Sequence, residues 1–487
     1  MSSLNPSDQQ AALHGGSAVP SRRVEASTLL RIAAPLAAAY LAELAMSLTT
    51  KSVVGQLGYR ELAAIGLAAD TASELIVILS GLLSVVGVLV AQAEGAGRKA
   101  DAGLAARQGL IVATALGVGA TVLVWKLDAL LAFTGQDPEI LALMAGFLGP
   151  LSLSVMPVLW FFALRIFVAS LAKTSAVMAI TVAAVGLNYV LAHGLVHGAF
   201  GLPALGLAGA GWAKTIVSVA MFLCLLAYAY RTPTFRGYGL FRGRLRLDAG
   251  VCREIFRLGI PVAGIVILEA GLFFAVAIFS GQLGAVPLAT YQVIIAWVGV
   301  AFMTAHGLAE AGMIRVAHGI GRTSLSSARQ AGLLTFAMGV VWLVLLIAVP
   351  LTFPEPMVRI FLRPSDPGFA EVLALTTQLL ILAAFFQVFN GLQVMAALAL
   401  RGLQDTIVPL WCAAAGYWVF GVLGGWGAGV PDGDGRDGPV VGHGGGPHDH
   451  RDASGRALRG VDEAAMISVR RRDKRPARGQ RRIERPA

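Results

Sequence analysis

Long apolar runs separated by short polar segments occupy the chain from residue 31 to residue 426. They fall at 31–54, 62–92, 104–126, 138–163, 174–196, 206–230, 255–280, 286–312, 330–353, 368–399 and 407–426. An α-helix needs roughly 20 such residues to cross the hydrocarbon core of a bilayer. Uninterrupted runs of this length also exclude a β-barrel, whose strands are short and alternate in polarity. The pattern predicts an all-α polytopic membrane protein with eleven visible spans.

The runs repeat. Arg31, Pro35, Glu43, Gly55, Gln56, Leu57, Gly58 and Leu62 recur 226 positions later as Arg257, Pro261, Glu269, Gly281, Gln282, Leu283, Gly284 and Leu288. Further on, Gly97-Arg98 is answered by Gly321-Arg322, and Leu164-Arg165 by Leu400-Arg401. A duplicated half with an acid at the same depth in each copy is the layout of a two-lobed transporter. The expected domains are a disordered N-terminus (1–24), an N-lobe of six helices (25–232), a cytoplasmic linker (233–254), a C-lobe (255–427) and an aberrant tail (428–487).

Composition agrees with the runs: the 487 residues are 56% hydrophobic and 14% charged, with mean hydropathy +0.72. Charge placement adds an orientation. With the N-terminus inside, nineteen Lys and Arg residues fall on the cytoplasmic segments and four on the outer ones, as the positive-inside rule requires. The net charge of +10 then reflects topology and tail, and gives no reason to expect a nucleic-acid partner. Cys224, Cys252 and Cys412 have no metal or redox spacing.

Symmetry asks for a twelfth span, and the tail does not supply one. After Gly421 the chain turns rich in Gly, Asp, His and Arg. A disordered tail and a metal-binding tail around His443, His448, Asp449 and His450 are two readings. The preferred third is a shifted reading frame. Within codon degeneracy, Pro431 to Ala465 read one base later becomes an apolar run with a basic end, and Met466-Ile467 becomes a stop. The twelfth helix is thus expected to be lost to a frameshift.

Candidate chemistry is sparse and sits inside the spans. Glu269 lies 12 residues beyond Arg257, roughly 18 Å along a helix at about 1.5 Å per residue, near mid-bilayer. Glu43 sits at the same depth in the first span. Inserting an acid there costs about 2.5–3.5 kcal/mol, and intramembrane acids are functional by default. Removal from water favours the protonated form of a carboxyl group, which suits a proton-coupled carrier. Glu43, Ser47 and Thr50 share a helix face, and Asp70 and Glu74 stack one turn apart. Lys51 needs a counter-ion, with Asp70 or Glu43 available. Gln387 with Asn390, and Tyr291 with Gln292, either line a cavity or join helices. No phosphate-binding loop, nucleophile elbow or catalytic triad is present, so neither an enzyme nor a bound cofactor or metal is expected.

The stretches RIAAP, VVGQLG, LAAIGLA, VAQAEGAGR, LRIFVAS, LNYVLAHG, LGLAGAGWA, FRLGIPVA, LEAG, ATYQV, IRVAHGIG and ALRGLQD resemble those of multidrug and toxic compound extrusion (MATE) transporters, especially the NorM-type branch, over about residues 25–420. The resemblance implies two pseudo-symmetric six-helix lobes around a central cleft, in the inner membrane. It implies export of amphipathic organic cations in exchange for protons or sodium, by what is expected to be a monomer. The family acid of the seventh helix falls on Glu269. The first-helix aspartate position aligns with Thr50 and the tenth-helix one with Asn390. Loss of the latter carboxylate favours protons over sodium. The alternatives are a lipid-linked saccharide flippase of the same superfamily and a non-transporting membrane sensor or scaffold.

The frameshift reading is decided by resequencing the DNA from about the codon of Gly424 onward. The expected result is an apolar helix one base out of register, ending in a stop opposite Met466-Ile467. Charged residues or earlier stops in that register would make the tail a genuine extension.

Overall fold

The computed structural model describes residues 20–133, 138–241, 247–366 and 368–423. The tail from Gly424, on which the frameshift reading falls, lies outside the described residues. The described residues form one compact unit. Every regular element among the described residues is helical, and ten helices are long and apolar enough to cross a membrane. With no water to satisfy backbone groups in the bilayer core, a helix closes its own hydrogen bonds.

The N-terminal half contains α1 (Arg22–Gly55), α2 (Tyr59–Leu83), α3 (Val85–Gly95), α4 (Lys99–Trp125), the short α5 (Leu127–Ala132), α6 (Pro138–Ser170), α7 (Thr174–His197) and α8 (Leu207–Arg231). α2 and α3 together make one span. After α9 (Pro233–Arg236), the second half runs through α10 (Ala249–Gln282), α11 (Ala285–Gly321), α12 (Leu325–Thr352), the short α13 (Pro354–Arg359), α14 (Phe369–Gly402) and α15 (Ile407–Ala413). The eleventh expected span is shorter in its regular part: α15 passes into π-helical backbone over Ala414–Leu423.

The halves repeat in backbone as well as sequence. Gly97 and Thr323 both have positive φ, at 72° and 57°, in the tight turns after α3 and α11. Ala172 and Gln404 do the same after α6 and α14, at 56° and 64°. This second pair is 232 positions apart, so α6 and α14 match at that offset. Arg165 and Arg401, 236 apart, are therefore one helical turn out of step, and the equivalence expected from their Leu-Arg motifs does not hold in space.

Proline positions carry local consequences. Pro35 sits inside α1, where it cannot donate to the carbonyl of Arg31. The Thr174 hydroxyl, on α7, lies 3.5 Å from that oxygen. Within the N-terminal half, α8 lies on α6, and Thr215 donates to the Pro150 carbonyl at 2.7 Å. The matching face of α14 is open: Leu382, at the position of Pro150, is 66% exposed.

The halves meet near one face, here termed the basic face, where α1 starts and α3 and α11 end. A Cβ on Gly95 would lie 2.3 Å from the His318 carbonyl oxygen, and one on Gly321 would lie 2.1 Å from that of Gln92. The same reciprocity holds deeper in. Gly81 packs on Val262 and Val266 of α10, and Gly307 on Ala37 of α1. Small residues let membrane helices approach this closely. Buried polar ties reinforce the contact. Arg315 grips Glu25 bidentately at 2.7 and 2.8 Å, with Glu25 only 1% exposed. His318 meets the Ser170 carbonyl at 2.9 Å. Removing one partner of such a buried ion pair typically costs about 3–5 kcal/mol.

The α9 segment is pinned to the first half. Tyr238 donates to Glu94 at 2.8 Å, and burial together with that carboxylate pushes its phenol pKa up.

Gly321→Val is expected to lower stability by about 1–3 kcal/mol, the usual cost of overpacking, because its side chain meets the backbone of α3. Gly66→Ala, where a Cβ meets nothing within 4 Å, is not. Thermal unfolding in detergent compares the two.

Candidate functional site

A cavity of about 730 Å³ lies between the halves, walled by α1, α2, α6 and α8 on one side and α10, α11 and α14 on the other. Its floor is the close contact at the basic face. Its walls are mainly apolar, from Phe147, Phe161, Phe162, Phe273 and Phe302 among others. Into this surface project four acids, Glu43, Glu74, Glu269 and Glu310, and four bases, Lys51, Arg165, Lys214 and Arg401.

Most of these charged groups have a hydrogen-bond partner. Arg165, 2% exposed, donates to Glu43 at 2.8 Å and lies 3.5 Å from the Tyr40 hydroxyl. Its guanidinium sits over the Tyr40 ring at 4.9 Å and the Phe162 ring at 4.7 Å, a cation–π arrangement that strengthens away from water. Tyr40 in turn donates across the halves to Glu310 at 2.5 Å. Arg401 crosses in the other direction and donates to the Ser84 hydroxyl at 2.9 Å. Lys51 donates to both oxygens of Asp70, at 2.7 and 3.0 Å. Its counter-ion is therefore Asp70 and not Glu43.

Three groups have no such partner among the described residues. Glu269 has a fully buried Oε1 that accepts no hydrogen bond, and Glu74 acts on it electrostatically. Glu74 itself makes no hydrogen bond or ion pair. The Lys214 ammonium makes none either, with Glu43 its electrostatic neighbour. Among the described residues, the charges facing the cavity outside an ion pair are thus three acids, Glu74, Glu269 and Glu310, against two bases, Lys214 and Arg401.

Comparison with known proteins now gives the family. The sequence pattern of the MatE family matches residues 35–193 and 261–426. The chain belongs to the MatE family. The probable multidrug resistance protein NorM of Pseudomonas putida is 36% identical over 402 residues, 82% of this chain and 87% of its own length. The protein of the same description from Pseudomonas aeruginosa is 36% identical over 413 residues, 83% and 85% of the two chains. A solved structure described as the outward-facing conformation of a multidrug resistance MATE family transporter of the MOP superfamily superposes with a TM-score of 0.73. Its identity is 18%, over 82% of this chain and 87% of that one. MatE proteins are membrane transporters rather than enzymes, and this chain is a multi-pass membrane protein of that multidrug efflux family.

On the MatE scaffold, Glu269, Glu43, Thr50 and Lys51 line the cavity. Thr50 lies 3.0 Å from the Asn188 carboxamide nitrogen, which donates to it. The other polar positions singled out in the sequence sit elsewhere. Asn390 is buried with its Oδ1 3.2 Å from the Tyr417 hydroxyl, whose proton goes to Gln393 at 2.8 Å. Gln387 lines a separate cavity of about 100 Å³ between α11, α12 and α14. Tyr291 donates to the Phe273 carbonyl at 3.0 Å, and Gln292 is exposed. Asn390 and Tyr291 thus join helices, and a face of a helix read from spacing alone does not say whether it meets a cleft or a neighbour. Tyr40, Arg165, Glu310 and Arg401 were not anticipated as cavity residues. Glu310, the single acid inside α11, was the available signal for their network.

Lys51→Met is expected to lower the melting temperature in detergent, and adding Asp70→Asn to recover part of the loss. The side chains are 31% and 63% exposed, so a coupling of about 0.2–1 kcal/mol is expected. Strictly additive losses would show that the two do not interact.

Proposed function

We propose that this chain is a secondary-active multidrug antiporter that exports amphipathic organic cations in exchange for protons by alternating access. The observation that carries the reading is the apolar cavity between the halves with the unpaired Glu269 carboxylate in its wall. Aromatic and aliphatic walls take the apolar body of a substrate without demanding one shape. A carboxylate without a protein partner gains a partner from a proton or from an organic cation, and one occupant excludes the other. That competition links the two fluxes, because each ligand shifts the balance of states only by its preference for one of them.

The balance of unpaired charge supports cations as substrates. Arg165 is neutralised by Glu43 and Lys51 by Asp70, so these two bases are not free to hold an anion. Lys214 and Arg401 are the residues that favour the second reading, a saccharide flippase with an anionic lipid-linked headgroup. Protons rather than sodium are supported by Asn390, a neutral amide where the resemblance places a carboxylate. Sodium needs several oxygen ligands, and this position offers no charge. The same reading places the protein in the inner membrane, as a monomer, with the basic face and the N-terminus cytoplasmic. The closed floor then faces the cytoplasm.

Glu269→Gln should abolish export while expression stays near that of the parent. Efflux of a fluorescent organic cation from vesicles is the measurement, made once with a pH gradient at zero sodium and once with a sodium gradient at uniform pH. Unchanged flux in the variant removes Glu269 from the mechanism. Parent flux under the sodium gradient alone removes proton coupling.

A further inference from the structure

Among the described residues Glu74 has no part in the pairing network and no partner of its own, yet it sits in a particular place. α2 and α10 run antiparallel and touch where Gly81 meets Val262 and Val266, and where the Leu82 carbonyl lies 2.6 Å from a Cβ built on Gly259. Glu74 is seven residues from Gly81 on the cavity side of this contact. Glu269 is seven residues beyond Val262 and three beyond Val266 in the same direction. With a rise of about 1.5 Å per residue, the two acids reach similar heights, one on each half, just where the helices part to form the cavity. Both line it, and the buried Oε1 of Glu269 is without a partner.

We infer that Glu74 and Glu269 act as one inter-half carboxylate pair that holds a single positive charge at a time, a proton or the cationic group of a substrate, and that filling the pair is what lets the halves close over the cavity. The inference rests on the antiport reading and adds to it a second acid and a reason for strict exchange. Two ionised carboxylates facing each other across an apolar cleft repel, and one proton between them replaces repulsion with a hydrogen bond. That proton comes from the outer solution and leaves to the cytoplasmic one when the halves open there. No electron moves and no covalent bond other than O–H forms or breaks. An organic ammonium neutralises the pair by ion pairing instead. Because the acids belong to different halves, their separation changes as the halves rock, and an empty pair opposes closure.

The surrounding charged groups leave this role to Glu74. Asp70, one turn along α2, is held by Lys51. Tyr417, beside Glu269, hydrogen-bonds Gln393. Deeper in the cavity, Glu310 is held by Tyr40 and Arg401 by Ser84. His306 packs against Tyr40 and Phe302, and across the cleft Glu43 is held by Arg165.

The test follows the distance between the halves. Leu57 and Leu283, equivalent exposed positions where α1 and α10 end, carry spin labels on introduced cysteines in the full chain. Cys224, Cys252 and Cys412 are replaced, and the protein is placed in phospholipid vesicles. The parent is expected to shorten this distance when the pH is lowered, and also when ethidium is added at alkaline pH. Glu74→Gln is expected to lose both responses, as is Glu269→Gln, and the double variant to lose no more than either single one. Asp101→Asn, in a surface pair with Arg98, is expected to keep both. Parent-like responses in Glu74→Gln overturn the inference. If that variant does not fold, Glu74→Asp, which withdraws the carboxylate by one methylene, must weaken both responses, and parent-like behaviour there overturns it equally. Intact distance responses in a parent that exports no ethidium would remove the antiport reading and leave the pair. Ethidium export with no role for Glu74 in closure would do the reverse.

Discussion

The architecture depends on one reciprocal contact. Gly95 and Gly321 each press against the backbone of the helix that carries the other, so α3 and α11 cross at the approximate two-fold relation of the halves. Lipid offers no hydrophobic drive for helices to associate, and close van der Waals packing through small residues supplies it instead. Gly81 and Gly307 extend the contact toward mid-membrane in the same reciprocal way. Beyond them the helices part, and the cavity is the space so created. A side chain at any of these glycines would move the floor and the cavity together.

The second organising fact is the high cost of a lone charge in this setting. A charge removed from water is costly unless paired, and most intramembrane charges here are paired locally or across the halves. Arg165 is the most heavily committed, with Glu43, the Tyr40 hydroxyl and two aromatic faces around it. Against that background, Glu74, Glu269 and Lys214 stand out for having no partner among the described residues, and they line the large space between the halves. A structural ion pair and a transport site are both built from intramembrane charges. What separates them is whether the charge is already satisfied in the empty protein.

Much of the fold was legible in the sequence, because apolar run length and the 226-residue repeat each have a single physical reading in a bilayer. The positions of the spans and the doubling of the chain follow from them. Asp70 on the second span was the expected partner of Lys51, with Glu43, about two turns away on the same helix, as the alternative. The structure settles it because α2 brings Asp70 alongside while Arg165 takes Glu43. The Leu-Arg motifs were misaligned by one turn, because local motif identity ignores the turn geometry that sets the register at Ala172 and Gln404.

What the sequence by itself determined is what depends on one helix at a time: which segments span, where each acid sits along its helix, and that the chain is doubled. What the tertiary structure decided is which charges neutralise which, since that depends on the side chains neighbouring helices bring to the same depth. The Tyr40–Glu310 and Arg401–Ser84 ties join residues some 270 and 317 positions apart, and Glu74 and Glu269, which line the same cavity, come from different halves. No periodicity along a single helix encodes such meetings. They arise only when the glycines of α2, α3 and α11 set how closely the two halves can approach.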